Sequence, residues 1–302
     1  MFLLPTMDCN CLLKYPTCIN LLDLSRMENM KIDVAGVLKD KNPKLYKKLP
    51  KFLLRYLERI VHQREINDFL AQNGHLRNFD FCDAVLKELN LSVTFNGMEK
   101  IPAHGPVILV MNHPLGGVDG LAFIAEMKSK RQDLVFVVND ILLQMKPLND
   151  LFVGVNKHGK NTSDTWNSIE RIFNSDKAVC IFPAGLVSRK TKGVIQDSVW
   201  KKTFVTYAKK TGHTIIPIHI EGKLSRRFYG LHRWRTFFGI KASLEMLFLA
   251  DEMFKQRNKQ VTFSVGEPIV VPSDSTKSDH QWAQDIKQAL YLIPQQYGKN
   301  NG

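Results

Sequence analysis

No run of about 18 uninterrupted apolar residues occurs in this 302-residue chain, so a transmembrane helix is not expected. Cysteine is scarce. Three of the five, Cys9, Cys11 and Cys18, precede Met27; a zinc or disulfide cluster is one reading of them, but no further Cys or His follows at ligand spacing, and no metal site is predicted. There is no G-x-S-x-G elbow and no H-E-x-x-H pair, which argues against serine hydrolases and zinc proteases. Zinc-finger spacing, RNP-like aromatic strands and long basic tails are also missing, and no nucleic-acid partner is predicted despite a formal charge of +13. The opening Met1-Phe2-Leu3-Leu4 lacks a positive flank, and Asp8, Asn10 and Lys14 break its apolar character. It does not read as a secretory signal, and a cytoplasmic protein, peripheral on the inner face of the cell membrane, is expected.

The chain has ordinary globular composition, 44% hydrophobic, with a positive excess that favours anionic partners such as an anionic membrane or an acidic carrier protein. Residues 1–30 read as an N-terminal extension, either a poorly ordered segment or an upstream start with Met27 or Met30 as initiator. Residues 31–90 read as helical. Pro50 opens a helix, Leu53, Leu54, Leu57, Ile60 and Val61 keep its spacing, and Ile66, Phe69 and Leu70 continue it in a second limb. Residues 91–302 alternate strand-like runs (91–95, 107–111, 134–138, 151–155, 178–182, 214–220 and 261–265) with helical ones, which predicts an α/β sheet covered by helices. The last helix, from Ser278 to Tyr297, carries Trp282, Ile286, Leu290 and Ile293 at core spacing.

The chemistry concentrates after the second strand. Asn112-His113-Pro114-Leu115-Gly116-Gly117-Val118-Asp119 follows the apolar run Val107 to Met111 and precedes a helical pattern, with Asp119 expected at the N-cap. A strand therefore delivers a histidine to a sheet edge, and a Gly-rich turn lets a carboxylate face it. Such a pair suits a general base, the carboxylate fixing the tautomer and stabilising the imidazolium. A capped turn with a satisfied histidine is the competing reading.

Two further runs end at the same kind of place. Ala178 to Phe182 opens into Pro183-Ala184-Gly185-Leu186-Val187-Ser188-Arg189, and Thr214-Ile215-Ile216-Pro217-Ile218 forms a strand with a proline inside it. The order NH-P…D, F-P-x-G-x-x-S-R, I-I-P-I over residues 91 to 270 resembles the lysophospholipid acyltransferases related to 1-acylglycerol-3-phosphate acyltransferase. It is most similar to a bacterial subgroup labelled as hemolysins, which includes acyltransferases of amino-acid lipids such as lyso-ornithine lipid. The resemblance implies a glycerolipid acyltransferase fold, a mixed α/β sheet flanked by helices. It also implies O-acyl transfer from acyl carrier protein or coenzyme A to the hydroxyl of a lysolipid, in membrane lipid biosynthesis, with no cofactor.

By the same resemblance His113 and Asp119 are catalytic, and Asn112, Gly116, Gly117, Asn156, Lys157, Phe182, Pro183, Gly185, Ser188 and Arg189 contact substrate. The backbone N–H groups of Gly116 and Gly117 are candidate oxyanion donors, and Arg189 a candidate for an acceptor's carboxylate or phosphate. Two departures narrow the assignment. His113 and Asp119 are one residue further apart than in the common pattern, and Ala184 stands where that pattern has Glu, which turns the expected acceptor from lysophosphatidate toward a lyso-amino-acid lipid. A water-using thioesterase and a non-enzymatic lipid-binding or lytic protein are the rival functions.

Two stretches outside these motifs stand out. Gly154 to Lys160 almost fits a phosphate loop, but Asn161 occupies the Ser/Thr position and the magnesium-binding hydroxyl is missing. Between Glu221 and Glu245 there is no acid, while Arg226, Arg227, Arg233 and Arg235 alternate with Phe228, Trp234, Phe237 and Phe238. Leu224, Phe228, Leu231, Trp234 and Phe238 share a helical face. That face is read as a membrane-surface element, against the alternative of aromatics packed inward and arginines solvated.

Overall fold

The computed structural model describes residues 31–139, 142, 143, 145–155, 163–240 and 243–298. The N-terminal extension, the phosphate-loop-like stretch 156–162, and Asn156 and Lys157 with it, lie outside the described residues.

In chain order the helices and strands are α1 (Val34–Lys41), α2 (Pro43–Lys48), α3 (Lys51–Ile60), α4 (Gln63–Asn73), α5 (Asn78–Glu88), β1 (Ser92–Asn96), β2 (Val107–Met111), α6 (Gly117–Met127), β3 (Leu134–Asn139), β4 (Phe152–Val155), α7 (Ser163–Phe173), β5 (Ala178–Ile181), β6 (Arg189–Thr191), β7 (Val194–Gln196), α8 (Thr203–Thr211), β8 (Thr214–Glu221), α9 (Arg226–Phe237), α10 (Leu249–Phe254), β9 (Gln260–Val265) and α11 (Asp279–Gly298). All seven strand-like runs read from the sequence are strands. Hairpin β6–β7 is additional.

Contacts divide the chain into two compact units that cut across the linear boundary at residue 90. The larger comprises residues 73–223 and 256–302 and contains every strand among the described residues. Its seven-stranded sheet has the order β1-β9-β8-β2-β5-β3-β4, with all neighbours parallel except β8 and β9. β2 is central and all five of its residues are buried, which explains its unbroken apolar sequence Val-Ile-Leu-Val-Met. Pro217 is accommodated inside β8 because the β9 ladder starts at Ile218–Val265 and the chains meet again at Ile215–Ile269. The proline's missing donor falls in that gap. On one face of the sheet Phe173, Trp200, Phe204, Ile286, Leu290 and Ile293 pack with Ile108, Val110 and Val179, so α11 is core-facing as its spacing predicted.

The smaller unit comprises described residues 31–72 with 224–255, and is helical. Its core holds Val34, Leu38, Ile60 and Val61, with Leu247 and Phe248 packed against them. Pro50 lies one residue before α3, in extended conformation. Glu252, almost wholly buried, accepts from the N–H of Ser225 (2.6 Å) and from its hydroxyl (2.5 Å), bracing the start of α9.

α9 leaves part of the face read as a membrane surface open and turns Phe228 and Arg235 of it inward. Phe228 is only 1% exposed and meets Tyr229 edge-on, so it is core and not surface. Arg235 turns inward and pairs with buried Glu245 at 2.7 Å. The face left open carries Arg226, Arg233 and Phe237, flanked by Arg227, Trp234 and Phe238. The reason is polar. Glu245 has to be neutralised inside the unit, and Arg235 lies on the same side of the helix as Phe228.

Candidate active site

β2 and β5 are parallel neighbours, so the turns after them emerge side by side at one sheet edge. His113 lies beyond the end of β2, and Phe182 and Pro183 beyond β5. This is the edge at which α/β sheets place their sites.

The imidazole of His113 is held from two directions. Its Nδ1 lies 2.9 Å from Oδ2 of Asp119, and its ring stacks on Phe182 with centroids 4.3 Å apart. Asp119 is fully buried, whereas the His113 side chain keeps 20% exposure. With Nδ1–H donated to the carboxylate, Nε2 carries the lone pair available to a substrate proton.

Gly116 makes the turn between the two. It caps α6 with φ 74° and ψ −133°, a conformation that side chains rarely allow. Asp119 is therefore not the N-cap that the sequence suggested. It is the third residue of the helix and reaches back, its Oδ2 also accepting from the N–H groups of Leu115 (2.9 Å) and Gly116 (3.1 Å). Oδ1 of Asp119 is buried and without a hydrogen-bond partner in the structure. Burial raises the Asp119 pKa, while the bonds from His113 and Leu115 pull it down and the nearby charge of Asp197 pushes it up.

Several residues expected at the substrate hold the site instead. Asn112 is buried; its amide donates to the carbonyl of Ile220 (2.9 Å) and accepts from its N–H (2.7 Å), adding a rung between the end of β2 and β8. The N–H of Gly116 is taken by Asp119, which leaves Gly117, exposed and with open space where a Cβ would be, as the candidate donor at the helix start. Ser188 is buried, its hydroxyl donating to Oδ1 of Asp197 at 2.6 Å. Pro183 is buried too, and its carbonyl accepts from the N–H of Lys201 (3.1 Å). Gly185 is exposed at φ 64° and closes the turn through its N–H to the carbonyl of Phe182 (2.9 Å). Arg189 is half-buried, with Nη1 donating to the carbonyl of Val187 (3.1 Å).

Behind His113 lies a group that sequence reasoning missed. Oδ1 of Asp197 accepts from the backbone N–H of His113 (3.2 Å) as well as from Ser188, and Oδ2 accepts from Nε1 of Trp200 (2.9 Å). The N–H of Asp197 donates to the hydroxyl of Tyr291 (2.8 Å), and Nζ of Lys287 donates to its carbonyl (2.6 Å). Burial pushes the Tyr291 pKa up and lowers that of Lys287, the nearby Asp197 charge opposing the latter. No motif signals this set, because roughly ninety residues separate Asp197 from its α11 partners.

Among the described residues no Ser or Cys bonds to the His113 imidazole, and no group of three His, Cys, Asp or Glu could hold a metal ion. Cys82 and Cys180 are buried, and burial raises both thiol pKa values, so neither offers a thiolate.

A mixed, mostly parallel sheet with a His–Asp pair at the carboxyl ends of its strands has the layout of an α/β enzyme. The sequence matches an acyltransferase family over residues 36–292, and the chain belongs to that family. It is 41% identical over 265 residues to a lyso-glycine lipid O-acyltransferase of Bacteroides thetaiotaomicron, an alignment covering 87% of this chain and 97% of the relative. It is 40% identical over 264 residues to a protein of the same name from Phocaeicola vulgatus, covering 87% and 95%. The crystal structure of the 1-acyl-sn-glycerophosphate (LPA) acyltransferase PlsC from Thermotoga maritima aligns at a TM-score of 0.43 and 18% identity, over 80% of this chain and 92% of that one.

Proposed function

We propose that this protein transfers a fatty acyl group from a thioester, acyl carrier protein or coenzyme A, to the hydroxyl of a lyso-glycine lipid, a step of membrane lipid biosynthesis. The observation that carries the chemistry is the His113–Asp119 pair with Nε2 left free to take a proton. The hydroxyl oxygen attacks the thioester carbonyl as its proton passes to Nε2. A tetrahedral oxyanion forms, and the N–H of Gly117 faces it. Collapse breaks the C–S bond, and the imidazolium returns the proton to the leaving thiolate. The reaction uses neither a covalent enzyme intermediate nor a cofactor.

The acceptor follows from the two relatives' names and from Ala184, buried where the related phospholipid enzymes have Glu. A glycine head group ends in a carboxylate, which the half-buried guanidinium of Arg189 suits. A peripheral position on an anionic membrane fits exposed Trp234, Phe237 and Phe238 beside Arg226 and Arg233, and no described helix is long and apolar enough to cross a bilayer.

Transfer of a radiolabelled acyl chain from each thioester to lyso-glycine lipid, lyso-ornithine lipid and lysophosphatidate tests the proposal. A diacyl glycine lipid formed by the wild type and lost in His113→Ala is expected. Free fatty acid without diacyl product would mean a thioesterase. Vesicle leakage without either would mean a lytic lipid-binding protein.

A further inference from the structure

We infer that Asp197 is a positioning residue for the transfer reaction: its carboxylate ties the peptide of His113 to the root of the β6–β7 hairpin, so that the base and the Arg189 loop are held as one body. This rests on the proposed reading of His113 as base and Arg189 as acceptor contact.

Residues 188 and 197 flank the hairpin of residues 189–196, and both bond to His113. The N–H of Ser188 donates to the His113 carbonyl (2.8 Å), and the N–H of His113 donates to Asp197 (3.2 Å). The hydroxyl of Ser188 then closes the root onto the same carboxylate oxygen (2.6 Å). The hairpin itself closes tightly. Its two turn residues, Lys192 (φ 49°) and Gly193 (φ 88°), are both left-handed, as a tight two-residue hairpin turn requires. From the other side Tyr291 and Lys287 of α11 hold the Asp197 backbone, so the carboxylate cannot drift.

The choice of residue is informative. A carboxylate only 2% exposed is a costly means of fastening a loop, since desolvation opposes the charge. Here three donors, a backbone N–H, a hydroxyl and an indole N–H, converge on two oxygens, and each needs an acceptor. Asparagine has one acceptor atom. If its oxygen serves His113 and Ser188, its NH2 faces the N–H of Trp200, donor against donor.

That conflict supplies the test, run on the full chain with steady-state kinetics for lyso-glycine lipid and thioester separately. Asp197→Asn is expected to lower kcat by about 30-fold or more and to raise the acceptor KM, as a small misplacement of a base does, with the donor KM within about twofold. Asp197→Asn/Trp200→Phe removes the opposing donor and is expected to regain about tenfold of the lost kcat. The double variant also leaves a gap where a fully buried indole stood, so its melting temperature falls below that of the single variant. Activity rising while stability falls is a pattern that a merely structural role does not produce. A folded Asp197→Asn with kcat and acceptor KM within about twofold of wild type overturns the inference, as does activity that follows melting temperature across the set. Should Asp197→Asn fail to fold, Ser188→Ala decides: an acceptor KM raised about fivefold is expected, and an unchanged one overturns it. A wild type that acylates no lyso-glycine acceptor overturns the proposed function beneath. An active wild type with indifferent Asp197 and Ser188 variants overturns this inference alone.

Discussion

Both compact units bury carboxylates, and the partners differ. In the helical unit Glu245 meets Arg235 and Glu252 meets Lys255, each a full counter-charge. In the sheet unit Oδ2 of Asp119 accepts from the His113 ring and two backbone N–H groups, both oxygens of Asp197 accept from a backbone N–H, a hydroxyl and an indole, and among the described residues neither carboxylate forms an ion pair with Lys or Arg. Lys287 comes close, but its ammonium donates to the carbonyls of Asp197 and Ser198. The helical unit neutralises its buried charge with side chains that are always charged. The sheet unit leaves negative potential around an imidazole, which becomes a cation only when it takes a proton. In the proposed transfer this arrangement favours the state in which the acceptor hydroxyl has just given up its proton.

Removing the imidazole breaks the contrast most severely. His113→Ala is expected to lower kcat by about 10³-fold or more, measured as diacyl product at saturating donor. Asp119→Asn keeps the shape, but its NH2 group can meet a donor on His113 or on the Leu115 and Gly116 amides. A fall of about 10²- to 10³-fold is expected. A kcat for Asp119→Asn within a few-fold of wild type would show that the potential around His113 is not used.

The next largest effect separates neutral from charged packing. His219, in β8, meets Tyr291 edge-on at 5.7 Å, and burial pushes its pKa down to about 4 from 6.5. The folded state therefore resists a proton that the unfolded state accepts, so stability is fully present above about pH 6.5 and is lost as the pH falls toward 4. Between those values the wild type should lose on the order of 3 kcal/mol of unfolding free energy from this group. In urea titrations His219→Gln should show a shallower decline over that window. Parallel declines in the two proteins would mean that the histidine does not contribute.

Much of this was legible in the sequence. The seven sheet strands read either as apolar runs, as in β2 and β5, or as apolar–polar alternation, as in β1 and β9, and His113 and Asp119 stand out because a buried strand ends in a glycine-rich turn. The β6–β7 hairpin was not, because its strands are three residues each and mostly exposed, with no alternation long enough to register. Asn112 and Ser188 lie within recognisable motifs, yet their side chains are spent inside the protein, which only the partners Ile220 and Asp197 reveal. The grouping of residues 224–255 with the N-terminal helices is equally silent in a linear reading.

α9 shows the same limit, and it carries the smallest expected effect. Periodicity placed Phe228 and Trp234 on one face, but helix periodicity alone does not say which face turns inward. In the structure Phe228 is interior and Phe237 is 83% exposed. The surface proposed to meet a membrane is therefore the aromatics Trp234, Phe237 and Phe238 with Arg226, Arg227 and Arg233, while Phe228 and Arg235 drop out of it. Replacing the three aromatics with serine should weaken binding to phosphatidylglycerol-containing vesicles by about tenfold in a sedimentation assay, since exposed rings give up apolar burial in the interface. Activity on detergent-dispersed acceptor should stay unchanged, because the three rings belong to the helical unit, whereas His113, Asp119 and Asp197 belong to the sheet unit. Phe228→Ser should do the reverse, leaving a void in the helical unit and lowering the melting temperature. If the triple variant binds vesicles as the wild type does, the exposed aromatics of α9 are not the membrane contact, and the arginines beside them act through charge alone, which raised salt would then abolish.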